Sequence, residues 1–266
     1  MGTRRRLDAE LVRRGLARSR EQAASLVSAG RVRVAGQTAG KPATQIEPGD
    51  PILVTGETGK REYASRGGQK LAGALAAFPG LAVAGRRCLD AGASAGGFTD
   101  VLLRAGAAHV VAVDVGYGQL DWELRTDDRV TVLDRVNVRD LRPEQVAPAP
   151  GLVTADLSFI SLTLVLPALA GCADPGADYV LLVKPQFEVG RGNVGAGGVV
   201  RDPRLRAGAV TTVATAAARL GLGVAGIVAS PLPGPSGNVE YFLWLRQGAP
   251  PLDPDALRQA IAEGPQ

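Results

Sequence analysis

From about residue 65 onward, short apolar runs suited to strands alternate with helical stretches. That alternation constrains the fold more than any other feature. Parallel neighbours need a crossover between them, so a strand–helix series builds a mostly parallel sheet with helices on both faces. Six runs read as strands, at 88–92, 109–113, 151–155, 179–183, 223–229 and 241–246. Asp90, Asp114, Asp156 and Lys184 stand at or near the carboxyl ends of the first four. Ligands of such sheets bind beyond those ends, so all four residues are expected to face one crevice.

The first of these strands runs into Asp90-Ala91-Gly92-Ala93-Ser94-Ala95-Gly96-Gly97 and then a helix opening at Phe98-Thr99. This is not the dinucleotide G-x-G-x-x-G, and Ser94 replaces the second glycine of the alternating D-x-G-x-G-x-G form. An acid ahead of the first glycine would repel a pyrophosphate and suits a cationic, phosphate-free cofactor. S-adenosylmethionine fits that description, cradled by Asp90, Gly92, Ser94, Gly96, Gly97 and Phe98. Asp114 would accept its two ribose hydroxyls from the next strand end.

Lys184 lies between the run Val180-Leu181-Leu182-Val183 and Pro185, which anchors its ammonium on a rigid strand end. A lysine desolvated there can move a proton. Asp156 ends the neighbouring strand, Lys70 follows Arg66-Gly67-Gly68-Gln69 ahead of a helix, and Glu240 precedes the last strand. Two lysines and two acids beside a methyl-bearing cofactor can hold and deprotonate a hydroxyl for in-line attack. No metal is required: His109, the one histidine, reads as a surface residue entering a strand. Two Gly/Pro-rich loops, 186–203 and 230–238, are expected to cover substrate.

Charge separates the chain into two parts. Residues 1–70 carry 14 Lys or Arg against 7 acids, and the remainder carries 16 against 19. A basic module joined to a near-neutral one is expected where one part grips a polyanion. Ser19 and Gln22 match a capping box opening a helix that Gly30 stops. A shorter helix is expected near 8–14, and 31–34 and 52–54 read as strands. Two cysteines, Cys88 and Cys172, are too few for a disulfide scaffold or a Cys-rich zinc site, which points to a reducing cytosol. The basic start lacks a signal-peptide core. The uncharged stretches 157–173 and 220–239 are interrupted by prolines, so no membrane span is expected.

Several motifs carry a resemblance. Arg6-Leu7-Asp8, Arg14-Gly15-Leu16-Ala17-Arg18-Ser19-Arg20, Gly30-Arg31-Val32-Arg33-Val34-Ala35-Gly36 and Lys41-Pro42 resemble an S4 RNA-binding domain. The resemblance implies that Arg4, Arg6, Arg18, Arg20 and Lys41 contact RNA phosphates. Downstream, Ser65-Arg66-Gly67-Gly68-Gln69-Lys70-Leu71, the glycine loop, Ala155-Asp156-Leu157-Ser158-Phe159-Ile160-Ser161, Val183-Lys184-Pro185-Gln186-Phe187-Glu188 and Gly234-Pro235-Ser236-Gly237-Asn238-Val239-Glu240-Tyr241 resemble the TlyA family. Those are S4-containing ribosomal RNA 2′-O-methyltransferases with an FtsJ-like catalytic domain.

The resemblance implies an α/β architecture: a small N-terminal α+β S4 domain at 1–59, a linker at 60–64, and a Rossmann-like methyltransferase with a seven-stranded, mostly parallel sheet at 65–266. It implies a Lys70, Asp156, Lys184 and Glu240 tetrad, and S-adenosyl-L-methionine as methyl donor. It further implies cytidine 2′-hydroxyls in 16S or 23S rRNA of the 30S or 50S subunit as substrates, and an effect on sensitivity to capreomycin-type antibiotics. Gln69 and Arg61-Glu62-Tyr63-Ala64 depart from the expected histidine and the Arg-x-Trp-Val linker. Two other classes stay open: a catalytically silent rRNA-binding assembly factor, and a membrane-lytic protein, for which no span or strongly amphipathic basic helix speaks.

Overall fold

A computed structural model describes residues 5–14, 16–17, 19–47, 49–54 and 63–265. Arg4, Arg18 and linker residues 60–62 lie outside them. The chain divides into two compact units, 1–61 and 62–266.

The first unit contains β1 (Arg5–Arg6), α1 (Leu7–Arg13), α2 (Arg20–Ser28), β2 (Val32–Val34), β3 (Gln37–Thr38), β4 (Gln45–Ile46) and β5 (Ile52–Val54). The Ser19 hydroxyl accepts from the Gln22 amide at 3.1 Å, the cap that the spacing predicts. Ala23 and Val27 of α2 then meet Leu7 and Leu11 of α1 over Val32 and Ile46. β1, β3 and β4 are two residues each, too short to show a period, and were not expected.

The second unit runs α3 (Gly67–Ala77), β6 (Arg87–Ala91), α4 (Gly97–Arg104), β7 (His109–Asp114), α5 (Trp122–Arg125), β8 (Val130–Asp134), α6 (Pro143–Val146), β9 (Leu152–Ala155), α7 (Leu162–Cys172), β10 (Asp178–Val183), α8 (Pro185–Glu188), α9 (Pro203–Ala218), β11 (Leu222–Ala229), β12 (Tyr241–Gln247) and α10 (Pro254–Glu263). Seven strands form one sheet in the order β11-β12-β10-β9-β6-β7-β8. Strands β10, β9, β6, β7 and β8 are parallel, and β12 runs antiparallel to both its neighbours. Both sheet faces are packed. Cys88, Val110, Leu152, Val180 and Phe242 join Leu71 of α3 and Leu102 of α4, while Leu89, Val111, Val153, Leu181 and Leu243 join Leu166 of α7 and Val210 of α9.

β8 is the strand that the run pattern missed. It lies at the sheet edge, all five residues are half-buried, and Thr131 and Asp134 interrupt its apolar residues. Full burial on both faces is what produces a continuous apolar run, and an edge strand lacks it. His109 also differs from expectation. It is half-buried at the start of β7, with Nε2 2.8 Å from Thr131 Oγ1.

The register positions the site. Val183 aligns with Tyr241, and Ala155 aligns with Leu181 and Ala91. Residues that follow β6, β7, β9 and β10 therefore emerge at the same end of the sheet as residues that precede β12.

Candidate active site

At that end the glycine loop turns from β6 into α4. Gly92 has φ +87°, and a Cβ there would lie 2.6 Å from the Asp156 carbonyl oxygen, so the close approach of loop and strand end requires glycine. Ser94 adopts φ +47°, keeping the left-handed conformation of the glycine it replaces. Its amide donates to Asp114 Oδ2 at 2.8 Å, and the Gly116 amide donates to Asp114 Oδ1 at 2.6 Å. Asp114 thus clamps the loop to β7. Gly96 caps α4, and a Cβ at Gly97 would strike Ser65 and the Gly68 amide. Gly92, Ser94 and Asp114 line a cavity of about 520 Å³ whose far wall is Val136, Asn137, Val138, Leu157, Ile160 and Val165. Sequence reasoning missed that wall: its first three residues follow the unrecognised β8.

Asp90 does not face the crevice. Its side chain is fully buried, holding hydrogen bonds from Thr99 Oγ1 at 2.6 Å and Thr154 Oγ1 at 3.5 Å. Burial pushes its carboxyl up to about 7, against the Thr99 bond and with the Asp156 charge adding. The geometry makes it a brace beneath the loop, because its strand position points into the sheet's packed face. Phe98 is likewise buried, 6.0 Å from the Phe242 ring, with its edge on the crevice.

Lys70, Asp156, Lys184 and Glu240 form two ion pairs. Lys184 and Asp156 end neighbouring parallel strands, with Nζ 2.6 Å from Oδ1. Lys184 also donates to Ser158 Oγ at 3.0 Å, a partner the sequence reading did not name. Lys70, in the first turns of α3, is 2.6 Å from Glu240 Oε2, and both side chains are buried. Lys70, Asp156, Ser158 and Lys184 line a crevice of about 300 Å³ with Ser65, Arg66, Phe98 and Pro235. Glu240 stands behind Lys70, off the crevice surface. The crevice shares Gly92, Ser94, Asp156 and Ser158 with the larger cavity, so the two meet at a seam.

The two Gly/Pro-rich loops are tied together beside this seam. Asn238 accepts from the Val200 amide at 2.9 Å and donates to the Gly198 carbonyl at 2.8 Å, while Arg66 donates to the Pro233 carbonyl at 2.6 Å. Tyr63 and Ala64, expected in the linker, pack on this unit. Arg104 lies 5.0 Å over the Tyr63 ring, and the Ala64 amide donates to Asp100 at 2.8 Å.

In the first unit Arg6 and Arg20 converge on one carboxylate. Arg6 binds Asp8 through Nε at 3.1 Å and Nη2 at 2.8 Å, and Arg20 Nη2 reaches it at 3.0 Å. The Arg6 hydrogen bond, and then Arg20, hold the Asp8 carboxyl well below the usual range against the opposing effect of burial. Exposed Lys41 lies in the turn whose Pro42 carbonyl accepts from the Asp8 amide at 2.9 Å.

Comparison with known proteins agrees with this anatomy. The FtsJ-like methyltransferase family model matches residues 63–247, and the S4 domain model matches residues 5–52. The chain is 61% identical to the 16S/23S rRNA (cytidine-2′-O)-methyltransferase TlyA of Mycobacterium tuberculosis, over 100% of both chains. It is 34% identical to the 23S rRNA (cytidine-2′-O)-methyltransferase TlyA of Campylobacter jejuni, over 77% of this chain and 80% of that one. A solved structure provisionally described as a hemolysin, from Streptococcus thermophilus, superposes with a TM-score of 0.76 at 41% identity, covering 99% of this chain and 96% of that one. With one model spanning the glycine loop and both ion pairs and the other spanning the arginine cluster, the chain belongs to the TlyA family of S4-domain-bearing, FtsJ-like methyltransferases.

Proposed function

We propose that the protein transfers a methyl group from S-adenosylmethionine to the 2′-hydroxyl of cytidine in 16S rRNA, 23S rRNA or both. The observation that carries this reading is the two Lys–carboxylate contacts on the walls of the crevice, one of them, Lys184 with Asp156, at its seam with the larger cavity. The larger cavity suits the methyl donor chemically. Asp114 offers carboxylate oxygens for ribose hydroxyls, Val136, Val138, Ile160 and Val165 offer an apolar wall for a purine, and among the described residues no lysine or arginine lines it to recruit a phosphate. When bound, the donor supplies an electrophilic sulfonium methyl.

The chain's own residues then do the following. Lys184, held by Asp156, withdraws the ribose 2′-hydroxyl proton. Lys70, held by Glu240, positions the ribose on the opposite wall. Gly92 and Ser94 keep the seam open between the two cavities, so a hydroxyl fixed by the lysines faces the donor side. Proton transfer by a positioned group contributes about 10²–10⁴-fold. Arg6, Arg20 and Lys41, with Arg4 and Arg18, contact rRNA phosphates and orient the subunit. Such a substrate places the protein in the cytosol, and loss of the mark alters sensitivity to capreomycin-type antibiotics.

The test is transfer of labelled methyl from S-adenosylmethionine to separate 30S and 50S subunits by wild type and Lys184→Ala. Label recovered as alkali-resistant 2′-O-methylcytidine with wild type alone is expected. Full activity of Lys184→Ala overturns the assignment. No label on either subunit, with cofactor and RNA binding intact, leaves the silent assembly factor.

A further inference from the structure

We infer that Ser158 is a positioning residue for the methyl transfer, its hydroxyl acting with Asp156 to fix the Lys184 ammonium at the seam of the two cavities. The inference rests on the reading of Lys184 given above. An ammonium is a compact charge with three rotatable donors on a flexible stem. The Asp156 contact at 2.6 Å by itself leaves it free to swivel about that oxygen. The Ser158 oxygen, accepting a hydrogen bond from the ammonium at 3.0 Å, supplies a directional anchor that the ion pair lacks. That anchor fixes which way the remaining donors face, so it decides how the nitrogen is presented to the crevice.

Three further observations support the assignment. Ser158 lines both cavities, which places its oxygen where donor and acceptor sides meet. It is solvent-exposed while the ammonium it accepts from is buried, so the hydroxyl lies at the mouth of the crevice. The next residue, Phe159, takes φ +64°, an uncommon conformation for an aromatic residue, so the chain turns sharply immediately after Ser158. While accepting from Lys184, the hydroxyl keeps its own hydrogen for solvent.

The experiment compares Ser158→Ala and Ser158→Thr with wild type in methyl transfer to ribosomal subunits, with Lys184→Ala as reference. For Ser158→Ala we expect kcat to fall about tenfold, as the base loses its aim. KM for S-adenosylmethionine and for the subunit should stay within about twofold, because the hydroxyl's contact is with Lys184. Ser158→Thr, which keeps the hydroxyl at an exposed position, should restore kcat. Unchanged kcat in Ser158→Ala overturns the inference. A fall in kcat without rescue by threonine, or a rise in either KM beyond about twofold, overturns it too, since a merely steric or binding role behaves that way. If Lys184→Ala itself retains turnover, the lysine reading fails first, and the two failures are thereby told apart.

Discussion

Lys70 Nζ and Glu240 Oε2 lie 2.6 Å apart although 170 residues separate them in the chain. β12 enters antiparallel from the end at which the parallel strands finish, and this delivers Glu240 behind α3. Breaking a buried pair costs more than replacing both members. Glu240→Ala should therefore destabilise the catalytic unit by about 3–5 kcal/mol, whereas Lys70→Met with Glu240→Leu should recover most of that stability. Urea unfolding measures the first effect. The double variant should still be inactive in methyl transfer, and activity in it would remove Lys70 from the site.

Gly92 and Gly118 separate strain from collision. Both have positive φ, yet a Cβ at Gly118 meets open space while one at Gly92 meets the Asp156 carbonyl at 2.6 Å. Gly118→Ala should cost about 1 kcal/mol. Gly92→Ala should exceed about 2 kcal/mol and weaken S-adenosylmethionine binding by more than about tenfold, because Asp156 must move. Isothermal titration of the two variants decides it, and equal affinities would show that the loop tolerates displacement.

Asp90 makes stability fall with pH. Its folded carboxyl titrates at about 7, against about 3.9 in an unfolded chain. Between those values the folded state holds a proton that the unfolded state has released, so unfolding becomes easier as pH rises and levels off above 7. Asp90→Asn removes the dependence and keeps an acceptor for Thr99. Its thermal advantage over wild type should be absent near pH 4 and should reach at most about 4 kcal/mol by pH 8. A constant difference across that range would show that Asp90 is ionised throughout.

Arg6 and Arg20 hold one another's position through Asp8. If both contact phosphate, Arg6→Ala with Arg20→Ala should lower the log-affinity versus log-salt slope for rRNA by about 2. The same pair of substitutions strips a buried Asp8 of these partners, at a cost of about 1–3 kcal/mol to the first unit. Adding Asp8→Asn should return the stability and leave the RNA affinity low. Recovery of RNA affinity as well would mean that the arginines act only as structural partners.

Much of the catalytic unit was legible because its signals are local. A central strand buried on both faces shows itself as an apolar run, as 179–183 does, and Ser19 with Gln22 announces a helix start through a single hydrogen bond. Edge strand β8 and the two-residue strands β1, β3 and β4 gave no such signal, since half-burial or brevity erases the period. With β8 went the Val136–Val138 wall of the larger cavity.

The amino-acid order alone determined that Asp90, Asp114, Asp156 and Lys184 stand at strand ends and that a glycine-rich turn precedes α4, because strand period and backbone sterics act between near neighbours. Only the tertiary structure decided which of those residues meet. Strand order set Lys184 on Asp156 and carried Glu240 to Lys70, while the pleat turned Asp90 inward against Thr99. The parallel pairing of β9 and β10 brought Ser158, just past the end of β9, to Lys184. Such pairings depend on distances through space that the packing of the two sheet faces fixes, and no spacing along the chain encodes them directly.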